Sequence, residues 1–106
     1  MPSNKQKFKE MRRTFRESVL KRDGNCCVFC GEKYNLEVHH ITDRKEMKND
    51  GYSTLNGITL CSIHHLMAEK YHISKGREWE IGFHPNDLYQ IIGTTFEEAK
   101  EDCEKL

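Results

Sequence analysis

The sequence predicts a small α+β domain stapled by zinc: a two-stranded ribbon and a following helix, with a basic helix before them and an acidic strand and helix extension after. Three observations predict this. Cys27-Val28-Phe29-Cys30 and Cys61-Ser62-Ile63-His64 have the ligand types and spacing of the two halves of a tetrahedral zinc site. Residues 36–41 alternate apolar and polar side chains, the period of a strand. Finally, 106 residues of which 32% are charged and 36% hydrophobic leave only a thin core, and chains of this size draw on a metal, disulfides or a partner for stability.

The same numbers bound the class. The length suits one domain, residues 1–106, divided into a basic helix (1–22), a zinc-clamped core (23–72) and an acidic extension (73–106). Five cysteines are an odd number, and four lie in or beside the metal half-sites while Cys103 stands far away. That argues against a disulfide framework and for a reducing, intracellular, cytoplasmic home. No apolar segment resembles a signal peptide or a membrane span, so a soluble protein is expected.

A formal net charge of zero conceals a gradient. Residues 1–22 carry eight basic side chains against two acidic ones, a net of +6, whereas residues 73–106 carry four against eight, a net of −4. The front of the chain can face phosphate; the back cannot.

Ser3 followed by Gln6 reads as a capping box, and Phe8, Met11, Phe15 and Val19 then recur at helical spacing until Asp23-Gly24 stops the run. Residues 25–31 form a cysteine-bearing turn in which Gly31 supplies tolerance of positive φ. Cys26 is the spare thiol, since only Cys27 has the two-residue spacing to Cys30. On the strand that follows, His39 and His40 point to opposite sides, which suits them to different roles. Residues 42–51 lack any period and read as a loop, mobile or in contact with a ligand. Residues 54–57 form a turn and 58–61 a second strand. Residues 62–72 fit a helix that places His65 and Glu69 one turn apart on a shared face.

Beyond residue 72, Trp79, Ile81 and Phe83 alternate as the core face of a further strand. Residues 85–92 suit a short helix ended by Gly93, and Thr94 or Thr95 with Glu97 or Glu98 opens an acidic last helix. This tail carries no evident chemistry; covering apolar surface or pairing with another chain is its expected role. His72 and His84 read as structural or exposed, and Asn56, just before Gly57, would alone pass for an ordinary turn residue.

Taken together, Arg22-Asp23-Gly24-Asn25-Cys26-Cys27-Val28-Phe29-Cys30-Gly31, Val38-His39-His40-Ile41 and Asn56-Gly57-Ile58-Thr59-Leu60-Cys61-Ser62-Ile63-His64-His65 resemble the HNH endonucleases of the ββα-metal (His-Me finger) type that carry a structural zinc. His64 stands where many members have a second cysteine; zinc accepts either. The resemblance implies a metal-dependent endonuclease that hydrolyses DNA. It makes His39 and His65 ligands of a catalytic Mg²⁺ or Mn²⁺, with Glu69 at a position where some members place a further histidine. It makes His40 the general base and Asn56 the residue that orients the base and its loop. Cys27, Cys30, Cys61 and His64 are then the structural zinc ligands, and Arg12, Arg13, Arg16, Arg22 and Arg44 are candidates for the DNA backbone.

Chemistry asks for such a set. Phosphodiester hydrolysis needs a base for water and a cation to offset charge on the phosphate, and imidazole, with an ordinary pKa of about 6.5, accepts a proton near neutrality. Alternatives to this reading are a zinc-ribbon module that binds nucleic acid without cutting, and a nuclease acting mainly on RNA or branched DNA. Oligomeric state is open, a dimer being one option.

Overall fold

The computed structural model describes residues 4–106. Ser3, expected to cap the first helix, lies outside them. The element order is α1 (Asn4–Arg22), β1 (Leu36–His40), β2 (Gly57–Cys61), α2 (Ser62–Ile73), α3 (Pro85–Ile91) and α4 (Phe96–Glu104), with three short 3₁₀ turns between β1 and β2 at Arg44–Glu46, Lys48–Gly51 and Thr54–Asn56.

Helix α1 lays its apolar stripe on the ribbon. Phe15 and Val19 are buried with Tyr52, and Phe8, Met11 and Val38 pack around them. The helix stops where Gly24 and Asn25 take φ of 72° and 56°, a backbone that glycine and asparagine tolerate best. Arg22 then ties the helix end to the ribbon: its guanidinium grips Asp23 and donates to the carbonyls of Thr54 and Gly57 at 2.8 and 2.6 Å. Asp23 in turn accepts from Thr59 N at 2.9 Å.

Strands β1 and β2 pair antiparallel, with Leu36 opposite Cys61 and His40 opposite Gly57. All five β2 residues are buried, since α1 covers one face and α2 with the C-terminal helices the other. Gly57 is the point of closest approach: a Cβ there would lie 2.6 Å from Phe15 and from Val19. A second core gathers Ile41, Ile58, Leu60, Ala68, Phe83, Leu88, Tyr89 and Ala99. Each large aliphatic side chain fully withdrawn from water there contributes about 1.5–3 kcal/mol.

The loop after β1 is tied down rather than free. Asp43 caps its first turn by accepting from Lys45 N, and the Asn49 amide donates to the Cys103 carbonyl at 2.7 Å. Both C-terminal helices start as expected. Thr95 accepts from Glu98 N at α4. At α3 the cap is His84, which accepts from Asn86 N while its own N–H donates to Asp87.

The strand expected through Trp79, Ile81 and Phe83 does not form: the described residues hold β1 and β2 alone as strands. Phe83 is buried, but Trp79 is exposed and Ile81 is 97% exposed. The reason is local. Lys75, Gly76 and Gly82 take φ of 56°, 81° and 86°, and Ser74 Oγ holds the Glu78 backbone from both sides, so the segment is wound into turns that no ladder can use.

Candidate metal centres and active site

The knuckle after α1 and the β2–α2 junction meet at one point. Gly31, at φ of 77°, lets the chain double back so that its N–H reaches the Cys27 carbonyl at 2.9 Å. Cys61 ends β2 and caps α2, its sulfur facing the His64 N–H. The ligand atoms of Cys27, Cys30, Cys61 and His64 lie within 4.8 Å of one another.

The spacing tests the metal directly. With zinc–sulfur bonds near 2.3 Å and zinc–nitrogen bonds near 2.0–2.1 Å, tetrahedral donors sit about 3.8 Å apart for two sulfurs and about 3.5 Å for sulfur and nitrogen. Cys30 Sγ and Cys61 Sγ are 3.8 Å apart; Cys27 Sγ and His64 Nδ1 are 3.5 Å apart, and Cys61 Sγ and His64 Nδ1 3.2 Å. Burial alone would raise the Cys27 thiol, but the backbone N–H groups of Cys61, Cys30 and Phe29 outweigh it and hold it at about 6. The four residues fit a zinc ion, and Phe29 and Phe83 stack beside His64 as its apolar cover.

A second cluster lies where β1 crosses α2. His39 points from the strand toward the helix and is 2% exposed. Its Nδ1 is 3.2 Å from Glu69 Oε1, and His65 Nε2 is 3.1 Å from the same oxygen. All three ligand atoms fall within 4.8 Å. Neighbouring donors around a divalent ion at roughly 2.1 Å lie about 3.0–3.4 Å apart, so this set also fits a cation. Burial pushes His39 down, and the hydrogen bond from His39 above all holds Glu69 at about 2. A neutral ligand and an ionised one thus face the same point.

His40, next on the strand, turns the other way and is half-buried. Its ring stacks on Phe15 at 4.6 Å and leans on Tyr52 at 5.4 Å. Of its two ring nitrogens, Nε2 is enclosed without a partner. Burial first, and then the nearby Arg44 charge, lower its pKa to about 4. Imidazole is therefore unprotonated at neutral pH, as a base must be, though weaker than the unperturbed residue.

Asn56 is fully buried and acts on backbone. Its Oδ1 accepts from Thr42 N at 3.0 Å, and its Nδ2 donates to the carbonyls of Thr42 and Gly51, both at 3.1 Å. Its own carbonyl accepts from Ile41 N at 2.9 Å. Gly51 is required beside it, with φ of 66° and a Cβ position 2.7 Å from Asn56 Nδ2. The two residues after His40 are thereby pinned to the loop.

Two residues join this frame that the sequence does not place at the site, where His72 reads as structural or exposed and Tyr89 has no role. His72 donates from Nε2 to the His40 carbonyl at 2.9 Å and stacks on His39 at 5.1 Å; its spacing of seven from His65 placed it on the same helix face, a signal the sequence did carry. Tyr89 reaches Asn56 from α3, with no signal in the sequence at all.

Of the arginines, Arg12, Arg13 and Arg16 are exposed on α1. Arg44 lies over the Tyr52 ring at 5.3 Å and pairs with Asp50 at 3.3 Å, half-exposed. Arg22, also exposed, differs from them in that its donors are engaged by Asp23, Thr54 and Gly57, which ties the end of α1 to the ribbon.

A ribbon and helix with a cage fit for zinc at the turn and a histidine–carboxylate cluster on the helix define a small α+β domain of the ββα-metal type. Residues 27–74 match the family model described as HNH endonuclease, which supports the resemblance carried by the cysteine, histidine and asparagine motifs. No curated protein and no solved structure matches the chain. The match suggests a nuclease-type function and implies nucleic acid as the class of substrate. No helix among the described residues is long and apolar enough to cross a membrane.

Proposed function

We propose that this protein is a metal-dependent endonuclease that hydrolyses DNA phosphodiester bonds, with one structural zinc and one catalytic cation. The observation that carries the reading is the convergence of His39, His65 and Glu69 within 4.8 Å, while the next strand residue, His40, turns to the opposite side. His39, His65 and Glu69 would hold Mg²⁺, Mn²⁺ or a related divalent ion. Such an ion, when bound, supplies positive charge against the phosphate and the departing oxygen. His40 takes the proton of the attacking water through Nδ1, since Nε2 is enclosed. Asn56 keeps the strand exit after His40 in place. Arg44, close enough to His40 to depress its pKa, adds charge where a phosphate would sit.

The enclosed Nε2 of His40 is the observation on the side of a second reading, a zinc module that holds nucleic acid without cutting. The test is incubation of supercoiled plasmid with the purified protein and Mg²⁺, Mn²⁺ or Ni²⁺, with His40→Ala alongside and a structured RNA in parallel. Cleavage by the wild type, lost in His40→Ala at unchanged zinc content and melting temperature, supports the assignment. Plasmid bound but intact under every metal favours the second reading, and cleavage of RNA alone reassigns the substrate.

A further inference from the structure

We propose that Tyr89, on α3 and beyond the segment that matches the family, is a positioning residue for the active site, orienting the Asn56 amide and through it the strand exit that carries His40. The inference rests on the proposed nuclease reading.

Tyr89 is 1% exposed, and its hydroxyl sits between two partners: Asn56 Oδ1 at 2.6 Å and Thr42 Oγ1 at 2.7 Å. The direction of these bonds follows from the atoms. An amide oxygen can only accept, so the Tyr89 hydroxyl spends its single proton on Asn56 Oδ1. It therefore accepts from Thr42, whose hydroxyl is the donor. The chain runs from Thr42 Oγ1 through Tyr89 to Asn56. Burial pushes the phenol up to about 12, which keeps that proton in place.

This chain decides which way Asn56 faces. Its oxygen meets two donors, Thr42 N and Tyr89, and its nitrogen meets two carbonyls, those of Thr42 and Gly51. A flipped amide would set an NH₂ against an N–H and an oxygen against two carbonyls. Removing the tyrosine proton removes one of the two donors that forbid the flip. Thr42 is two residues from His40 and is held through its N–H, its carbonyl and its hydroxyl, so slack there is passed to the His40 ring.

Helix α3 is itself fixed to deliver the hydroxyl. Pro85 begins it, and the His84–Asp87 capping box closes its first turn. The C-terminal extension thus contributes a working part of the site.

The test is Tyr89→Phe, which keeps the ring and deletes the hydroxyl, compared with Leu88→Ala, which weakens the same helix without touching Asn56. Both are assayed where each is fully folded. For Tyr89→Phe we expect kcat to fall about tenfold, equivalent to about 1.4 kcal/mol, with KM for plasmid and the half-saturating metal concentration within about twofold of wild type, because no ligand or backbone-contact candidate is altered. Leu88→Ala is expected to keep the wild-type kcat. Equal losses in the two variants, or none in Tyr89→Phe, would overturn the proposal. Should the wild type cut nothing, the nuclease reading fails while positioning is still decided by the nuclear Overhauser contact between the His40 and Phe15 rings. Its weakening in Tyr89→Phe but not in Leu88→Ala supports the inference, and its persistence in both refutes it.

Discussion

His39 and His40 are neighbours in the chain with opposite surroundings. Strand alternation explains the division: one ring faces the carboxylate of Glu69, the other the aromatic rings of Phe15 and Tyr52. Burial disfavours the charged form of both, which has a consequence for stability. A histidine whose folded pKa lies below its unfolded value binds fewer protons when folded, so stability rises with pH through the window and is lost as pH falls. For His40 that window runs from the ordinary 6.5 down to about 4. Urea unfolding between those limits should show the wild type losing stability more steeply than His40→Gln, by up to about 1.4 kcal/mol per pH unit for the one proton concerned. Parallel slopes would mean that the His40 environment is not as drawn. The sequence made the histidine pair legible because alternation is a local property. It could not disclose the Phe15 stack or the reach of Tyr89, which depend on packing between segments far apart in the chain.

The elements that formed as expected are those with punctuation of their own. Helix α1 ends at Gly24-Asn25, α3 begins at His84-Pro85, α4 begins at Thr95, and the Cys-x-x-Cys knuckle turns at Gly31. The expected strand through Trp79, Ile81 and Phe83 does not form because Gly82, at φ of 86°, and the Ser74 bonds to Glu78 wind the segment into turns that alternation alone does not reveal. Gly57 teaches the same lesson in reverse: it looked like half of an Asn-Gly turn and is instead a contact surface. With the Phe15 and Val19 side chains 2.6 Å from the position of an added Cβ, Gly57→Ala forces α1 away from the ribbon. The expected cost is about 1–3 kcal/mol, in the range of overpacked cores, readable as a lower urea midpoint at unchanged zinc content. A variant as stable as wild type would show that α1 is not seated on β2 as described.

At the scale of the whole molecule, charge is sorted by element. The exposed arginines Arg12, Arg13 and Arg16 lie on α1, whose stripe packs against the strand bearing His40, while α4 carries the acidic residues Glu97, Glu98, Glu101 and Asp102. The proposed DNA path follows the first and avoids the second. Replacing Arg12, Arg13 and Arg16 together with glutamine should weaken binding to duplexes of any sequence and reduce the slope of log affinity against log salt by about 3, close to one per lost phosphate contact. An unchanged slope in fluorescence anisotropy titrations would place the nucleic acid on another face.

His64 and His65 are consecutive residues on the first turn of α2, and they belong to different clusters. On the proposed reading, the sulfur-rich cage sets the start of the helix, and the helix start sets where the second imidazole hangs. Loading is then ordered: the soft ion has to settle first, since without it the hard ion would meet a ligand set whose helix has no fixed origin. An apoprotein offered magnesium alone would stay idle, whereas one given zinc and then magnesium would recover both.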